Sequence, residues 1–122
     1  MILKWVTLHV RDFEASKRFY TEYLGLPLRQ SFSPRPGMSI AFLGQEDETQ
    51  LELILDANLQ LPAVAPGAAS LGIPSERYAS LLETARDTGI LVGEPAIMGG
   101  YLECFFVTDP DGTRIQVIKD VR

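Results

Sequence analysis

The chain has 122 residues, of which 46% are hydrophobic and 22% charged, and its net charge at pH 7 is −5. These values are typical of one ordinary soluble domain with its own hydrophobic core. The acidic excess argues against binding to nucleic acid, whose phosphates require faces rich in Lys and Arg, and against binding to anionic membrane surfaces.

The first half of the chain predicts one strand, one helix and three further strands. Residues Leu3–Val10 mix aromatic and β-branched residues in rough alternation, which predicts a strand. Asp12 is expected to cap a helix with a 3.6-residue apolar period, and Gly25 to end it. The predicted strands that follow are Pro27–Phe32, Met38–Gly44 and Gln50–Asp56.

The second half repeats this order after a linker, residues 57–67, rich in Ala, Pro and Leu. A helix capped by Ser75 and ended by Gly89 is expected after a short strand. The predicted strands are Ala69–Ile73, Leu91–Ile97, Tyr101–Thr108 and Thr113–Lys119. The repeated order predicts a single domain over residues 1–122, with module 1 at about 1–56 and module 2 at about 68–122.

The rare residue types limit the chemistry that the chain can support. There is one histidine, His9, and one cysteine, Cys104, so no intrachain disulfide is expected. Zinc, nickel and iron sites usually draw on two or more such side chains, and a transition-metal site here would consist almost entirely of carboxylates. No signal peptide or spanning segment is recognisable, and together these features predict a cytoplasmic protein.

Two segments resemble the vicinal-oxygen-chelate superfamily, the fold of glyoxalase I and bleomycin-resistance proteins. Residues Arg18–Leu26, read RFYTEYLGL, resemble its first-helix signature, and Phe106–Ile115, which contain DPDG, resemble its last hairpin. The resemblance covers the whole chain and implies an α+β fold of two βαβββ modules that form curved mixed sheets around a concave cleft. It does not fix the function, because this fold hosts lyases, isomerases, dioxygenases, thiol transferases and drug-sequestering proteins.

The resemblance also places four metal-ligand positions at Trp5, Glu52, Ser70 and Gln116. Glyoxalase-like members would carry His or Gln, Glu, His and Glu there. Since Glu52 is the only ordinary metal ligand of the four, we expect no metal and no cofactor, with a divalent metal reserved for the alternative of a glyoxalase-like metalloenzyme. His9 is expected on the same strand face as Trp5 but about 13 Å further along the strand.

Glu52 and His9 each have two interpretations. From the pattern alone, Glu52 is a solvent-facing residue of an alternating strand. The resemblance instead places it in the cleft, where it would accept a ligand hydrogen bond or act as a general base on a carbon acid. His9 is interpreted as a structural hydrogen-bonding residue beside Asp56, with a general acid or base role as the alternative.

The remaining candidates are aromatic or polar. Trp5 would either plug the core or form a stacking wall for a planar ligand. Ser70 and Gln116 suit the orientation of a ligand by hydrogen bonds, and Tyr101 would close over it. Arg114 is either solvated or reaches an anionic ligand group. The predicted ligand-binding set is Trp5, Thr7, His9, Glu52, Ile54, Ser70, Tyr101 and Gln116.

These interpretations predict a small-molecule-binding protein of the glyoxalase/bleomycin-resistance type, with a degenerate metal site and a planar or aromatic ligand in its cleft. The first alternative is a lyase or isomerase that uses Glu52 as general base or remaining metal ligand. The second is a non-binding paralogue that interacts with other proteins. The expected partners are a small molecule and a second copy of the chain, since open sheets have edges to cover; no nucleic acid or membrane partner is expected.

Overall fold

Each half of the chain folds around one four-stranded sheet in the computed structural model, which describes residues 1–62, 65 and 67–120. Residues 1–63 form one compact unit and residues 64–122 the other. The elements of the first unit are β1 (Trp5–His9), α1 (Phe13–Arg18), a π turn (Phe19–Tyr23), β2 (Leu28–Arg35), β3 (Met38–Leu43) and β4 (Gln50–Asp56). Those of the second are β5 (Ser70–Ser75), α2 (Tyr78–Thr88), β6 (Leu91–Met98), β7 (Leu102–Thr108) and β8 (Arg114–Lys119).

Both sheets are mixed and have the same topology. The strand orders are β1-β4-β3-β2 and β5-β8-β7-β6, and in each sheet the first strand runs parallel to the last while the other pairs are antiparallel. The predicted α+β fold of two βαβββ modules is therefore confirmed. Ala63, Val64 and Pro66 of the predicted linker, and Val121 and Arg122 of module 2, lie outside the described residues.

The helix of the first unit begins where the sequence predicts but does not keep one geometry. The Asp12 side chain accepts a hydrogen bond from the Ala15 amide at 3.0 Å and so caps the first turn. The chain is α-helical only as far as Arg18 and then widens into the π turn, where the Leu24 amide donates to the Phe19 carbonyl at 3.0 Å. The wider turn contains a cluster of contacting rings, those of Phe19, Tyr20 and Tyr23.

The helix of the second unit begins later than predicted. Ser75 is the last residue of β5, and its hydroxyl accepts from the Arg77 amide at 3.1 Å, in the turn before Tyr78 opens α2. The strand therefore extends over the position predicted to be the helix cap. Gly89 ends α2 with φ of +77°, as predicted, since glycine adopts this conformation without a steric cost.

The DPDG turn fixes the hairpin of β7 and β8. The Asp109 carboxylate is buried, and its Oδ1 accepts from the amides of Asp111 at 2.9 Å and Thr113 at 2.8 Å. These bonds set the register that places Thr108 opposite Arg114 and Phe106 opposite Gln116. Among the described residues, no helix is both long and apolar enough to cross a bilayer.

Tyr78, the first residue of α2, packs onto the second sheet with its ring 5.0 Å from that of Phe105 on β7. Its hydroxyl is buried and makes no hydrogen bond within the described part of the chain. Burial, and secondarily the nearby Glu103 carboxylate, raise the pKa of Tyr78 to about 12.

This shifted pKa predicts a loss of stability at high pH. The unfolded chain releases the Tyr78 proton near pH 10 and the folded chain near pH 12, so the free energy of unfolding should fall as pH rises between these values. The fall attributable to Tyr78 is on the order of 2–3 kcal/mol. Urea unfolding of the wild type and Tyr78→Phe at pH 8 and at pH 11.5 measures it. Equal alkaline losses in the two proteins would contradict the prediction.

Candidate functional site

The two faces of the first sheet differ in chemistry. Along β4, Leu51 and Leu53 are buried against the core, while Gln50, Glu52 and Ile54 alternate onto the opposite face. The strand register brings residues of β1 and β3 onto that same side. We call it the open face, and it carries Trp5, Thr7, His9, Phe42, Gln50, Glu52 and Ile54.

A short hydrogen bond fixes Glu52 at the centre of the open face. Thr7 lies directly opposite Glu52, and its Oγ1 donates to Glu52 Oε1 at 2.6 Å. Both side chains are half-buried, and a hydrogen bond to a carboxylate at this length is of the stronger, charge-assisted kind. The other oxygen, Oε2, has no donor among the described residues. The carboxylate is therefore held in place with one oxygen free to accept a hydrogen bond.

Trp5 lies at one end of the open face and is half exposed, so it does not plug the core of this unit. Its ring meets that of Phe42 edge to face at a centroid distance of 5.5 Å. Beside the two rings runs an open groove of about 570 Å³, whose lining also includes Gln50, Arg29 and the acidic turn of residues 46–48. Phe42 was not among the predicted site residues, although its alternation on β3 with a buried Leu43 is a usable signal.

The predicted contact between His9 and Asp56 is wrong. In the observed pairing of β1 with β4, Trp5 lies opposite Gln50 and His9 lies opposite Ile54, two residues before Asp56. His9 is exposed at the end of β1. The Asp56 carboxylate instead accepts from Arg35 Nη2 at 2.8 Å.

The other predicted residues lie in the second unit. Gln116 is half-buried opposite Gly72, and its amide nitrogen Nε2 donates to Cys104 Sγ at 3.3 Å. Ser70 is exposed at the start of β5. Tyr101 is 86% exposed in the turn between β6 and β7. Ser70 and Gln116 thus share one face of the second sheet, whereas Tyr101 lies in the turn at the end of β6.

Curated relatives share about a third of the sequence over almost its full length. The chain is 31% identical over 126 residues to the lactoylglutathione lyase of Escherichia coli O157:H7, covering 98% of this chain and 93% of the relative. It is 34% identical over 119 residues to the lactoylglutathione lyase of Haemophilus influenzae, covering 93% and 88%. The structure of Leishmania major glyoxalase I superposes with a TM-score of 0.77 at 24% identity, covering 98% of this chain and 86% of that one.

These relatives contradict the expectation that the protein uses no cofactor. Lactoylglutathione lyases are metalloenzymes that use a divalent metal, so reasoning from absent ligands alone was insufficient. The donors of this chain nevertheless do not fit that metal. Within the described residues, no three or more His, Cys, Asp or Glu side chains are grouped to hold an ion. Thr7 also occupies one oxygen of Glu52, and Gln116 directs its amide to Cys104.

A family model matches residues 2–117, nearly the whole chain. Each compact unit of the chain contains one βαβββ module. The protein is therefore a member of the Glyoxalase/Bleomycin resistance protein/Dioxygenase superfamily.

Proposed function

We propose that the protein binds a small planar molecule on the open face of the first sheet. The observation that carries this proposal is Trp5, a large aromatic side chain that is half exposed beside a groove of about 570 Å³. Pockets of about 300–1,000 Å³ with aromatic walls are typical of small-molecule sites. The edge-to-face contact with Phe42 supports the indole ring, and the exposed half of the Trp5 side chain is available for stacking.

Glu52 supplies the polar contact in this proposal. It lies two residues beyond Gln50 on β4, which is about 7 Å along the strand and within the length of a fused two-ring ligand. Because Thr7 holds Oε1, the ligand's hydroxyl or amine proton is donated to Oε2. In this proposal the hydrogen bond to Glu52 orients the ligand, and stacking on Trp5 supplies most of the affinity.

A glyoxalase-type lyase is the second candidate, and the named relatives favour it. In this case Glu52 is the general base that takes a proton from a carbon acid, since it is a positioned carboxylate with a free oxygen on an accessible face. Lactoylglutathione is the compound to test first, because it is in the name of both relatives.

The wider expectations from the sequence remain part of the proposal. We propose a single cytoplasmic domain that forms a homodimer, and the unpaired backbone groups of the edge strands of each sheet support the pairing. The other members of the predicted ligand-binding set also remain proposals, namely His9, Ile54, Ser70, Tyr101 and Gln116.

Replacement of Trp5 tests the stacking wall, with 2-naphthol as the planar probe. Trp5→Leu should raise the Kd for 2-naphthol by roughly two- to tenfold, because aromatic pairs contribute about 0.5–1.5 kcal/mol beyond area burial. Trp5→Phe keeps a ring and should retain most of the affinity. Isothermal titration calorimetry of the three proteins measures the difference.

The saturated alcohol decahydro-2-naphthol is the matched control ligand. It has the same carbon skeleton without an aromatic ring, and its affinity should be nearly equal for the wild type and Trp5→Leu. An equal loss of affinity for both alcohols in Trp5→Leu would show that Trp5 contributes apolar contact area but no aromatic stacking. Equal affinity of all three proteins for 2-naphthol would exclude Trp5 from the site.

Glu52→Gln tests the polar contact. The amide keeps the shape and can still accept from Thr7, so the free energy of unfolding should change by less than about 1 kcal/mol. The preference for 2-naphthol over 2-methoxynaphthalene, which lacks the donor, should fall by about fivefold as a charged acceptor becomes neutral. Glu83→Gln on the exposed side of α2 is the control variant.

Two results would change this assignment. A collapse of the melting temperature in Glu52→Gln would show a structural role for the carboxylate. Lactoylglutathione lyase activity in the wild type, assayed with and without divalent metals and lost in Glu52→Gln, would put the second candidate first.

A further inference from the structure

Arg114 is a half-buried cation with an unsatisfied donor. Its Nε is buried without a hydrogen-bond partner among the described residues. Five other basic side chains each pair with a carboxylate: Lys17, Arg29, Arg35, Arg86 and Lys119. No such pair involves Arg114 within the described ranges. A buried donor without an acceptor is costly, and most of all in a charged group, so this position favours an acceptor from outside the chain.

Neutral hydrogen-bonding side chains flank Arg114 on both sides. It lies opposite Ser70 on β5 and opposite Thr108 on β7, so these three residues form a row across neighbouring strands about 4.8 Å apart, with their side chains on one face of the sheet. Gln116 is on the same strand face, two residues along β8. These groups donate to an oxyanion without competing with it for the positive charge.

The residues around this row are small or neutral. Gly72, opposite Gln116, has no side chain, and a Cβ there would be in ordinary van der Waals contact, 3.8 Å from Gln116 Oε1 and 3.4 Å from Ile118 Cδ1. The nearby Asp109 carboxylate is directed into the DPDG turn, where its Oδ1 accepts from the amides of that turn. The carboxylate nearest to the row along the chain is therefore engaged in the turn.

We propose that this row, Ser70, Thr108 and Arg114, binds an anionic oxygen group of a small molecule, either a carboxylate or a phosphate. The planar guanidinium receives two oxygens side by side, and the two hydroxyls donate from the flanks. This goes beyond the function proposed above, because the row belongs to the second compact unit and selects for negative charge instead of a planar ring. Ser70 is the one residue of the row that the predicted ligand-binding set also contains.

Nuclear magnetic resonance of the Arg114 Nε–Hε group tests the proposal directly. The full chain is titrated with inorganic phosphate and, separately, with acetate, while sodium chloride keeps the ionic strength constant. We expect a saturable shift of the Hε signal and of the Ser70 and Thr108 amides. The anion with the lower Kd identifies the phosphoryl or the carboxylate source.

Three variants give the expected contrasts. Arg114→Gln should raise the Kd by at least about tenfold, since a charged donor pair is lost. Arg114→Lys keeps the positive charge but loses the planar, two-pronged guanidinium, so its Kd should lie between those of the wild type and Arg114→Gln. An unchanged amide spectrum of this variant would show that the fold is intact. Arg86→Gln, which removes an exposed cation from α2, should bind as the wild type does.

Shifts that grow linearly with concentration and match those in chloride alone would overturn the proposal. So would saturable binding that persists unchanged in Arg114→Gln. Binding of 2-naphthol is measured on the same samples through the Trp5 indole signal. The planar-ligand site and the anion site can therefore fail independently of each other.

Discussion

The hydrogen bond from Thr7 to Glu52 is the interaction on which the candidate site of the first unit depends. It joins the two parallel strands of that sheet, holds a carboxylate on its open face and leaves one oxygen free. The two-residue period of β4 makes this possible, because the same strand buries Leu51 and Leu53 on its other side. A one-residue slip of β4 would bury the carboxylate and expose the leucines, so the core and the site require the same register.

The sequence predicted the fold well because its strongest signals are local. Asp12 caps its helix and Gly89 ends the other, as their residue types require. The DPDG turn also closes the hairpin where expected. The prediction that Ser75 caps α2 was wrong because β5 extends as far as Ser75. Whether this residue continues the strand or caps the helix depends on the pairing of β5 with β8, which is not a local signal.

The site was less predictable because it depends on how strands pair. The position of His9 opposite Ile54 follows from a register that no local pattern specifies. Phe42 reaches the open face only through its pairing with Glu52. The expectation of no cofactor came from the missing metal ligands, whereas the relatives are metalloenzymes. At identities of 31–34%, relatives need not share the same metal-ligating side chains. Family membership and the chemistry of this chain's own site are separate conclusions.

The most direct measurement of the central claim is an amide chemical-shift map of the wild-type protein with 2-naphthol. The indole N–H of Trp5 is a unique reporter, because the chain has one tryptophan. Binding on the open face predicts saturable shifts for that signal and for the amides of Thr7, Phe42, Gln50 and Glu52. Shifts confined to the second unit, or to the helix side of the first sheet, would contradict the account.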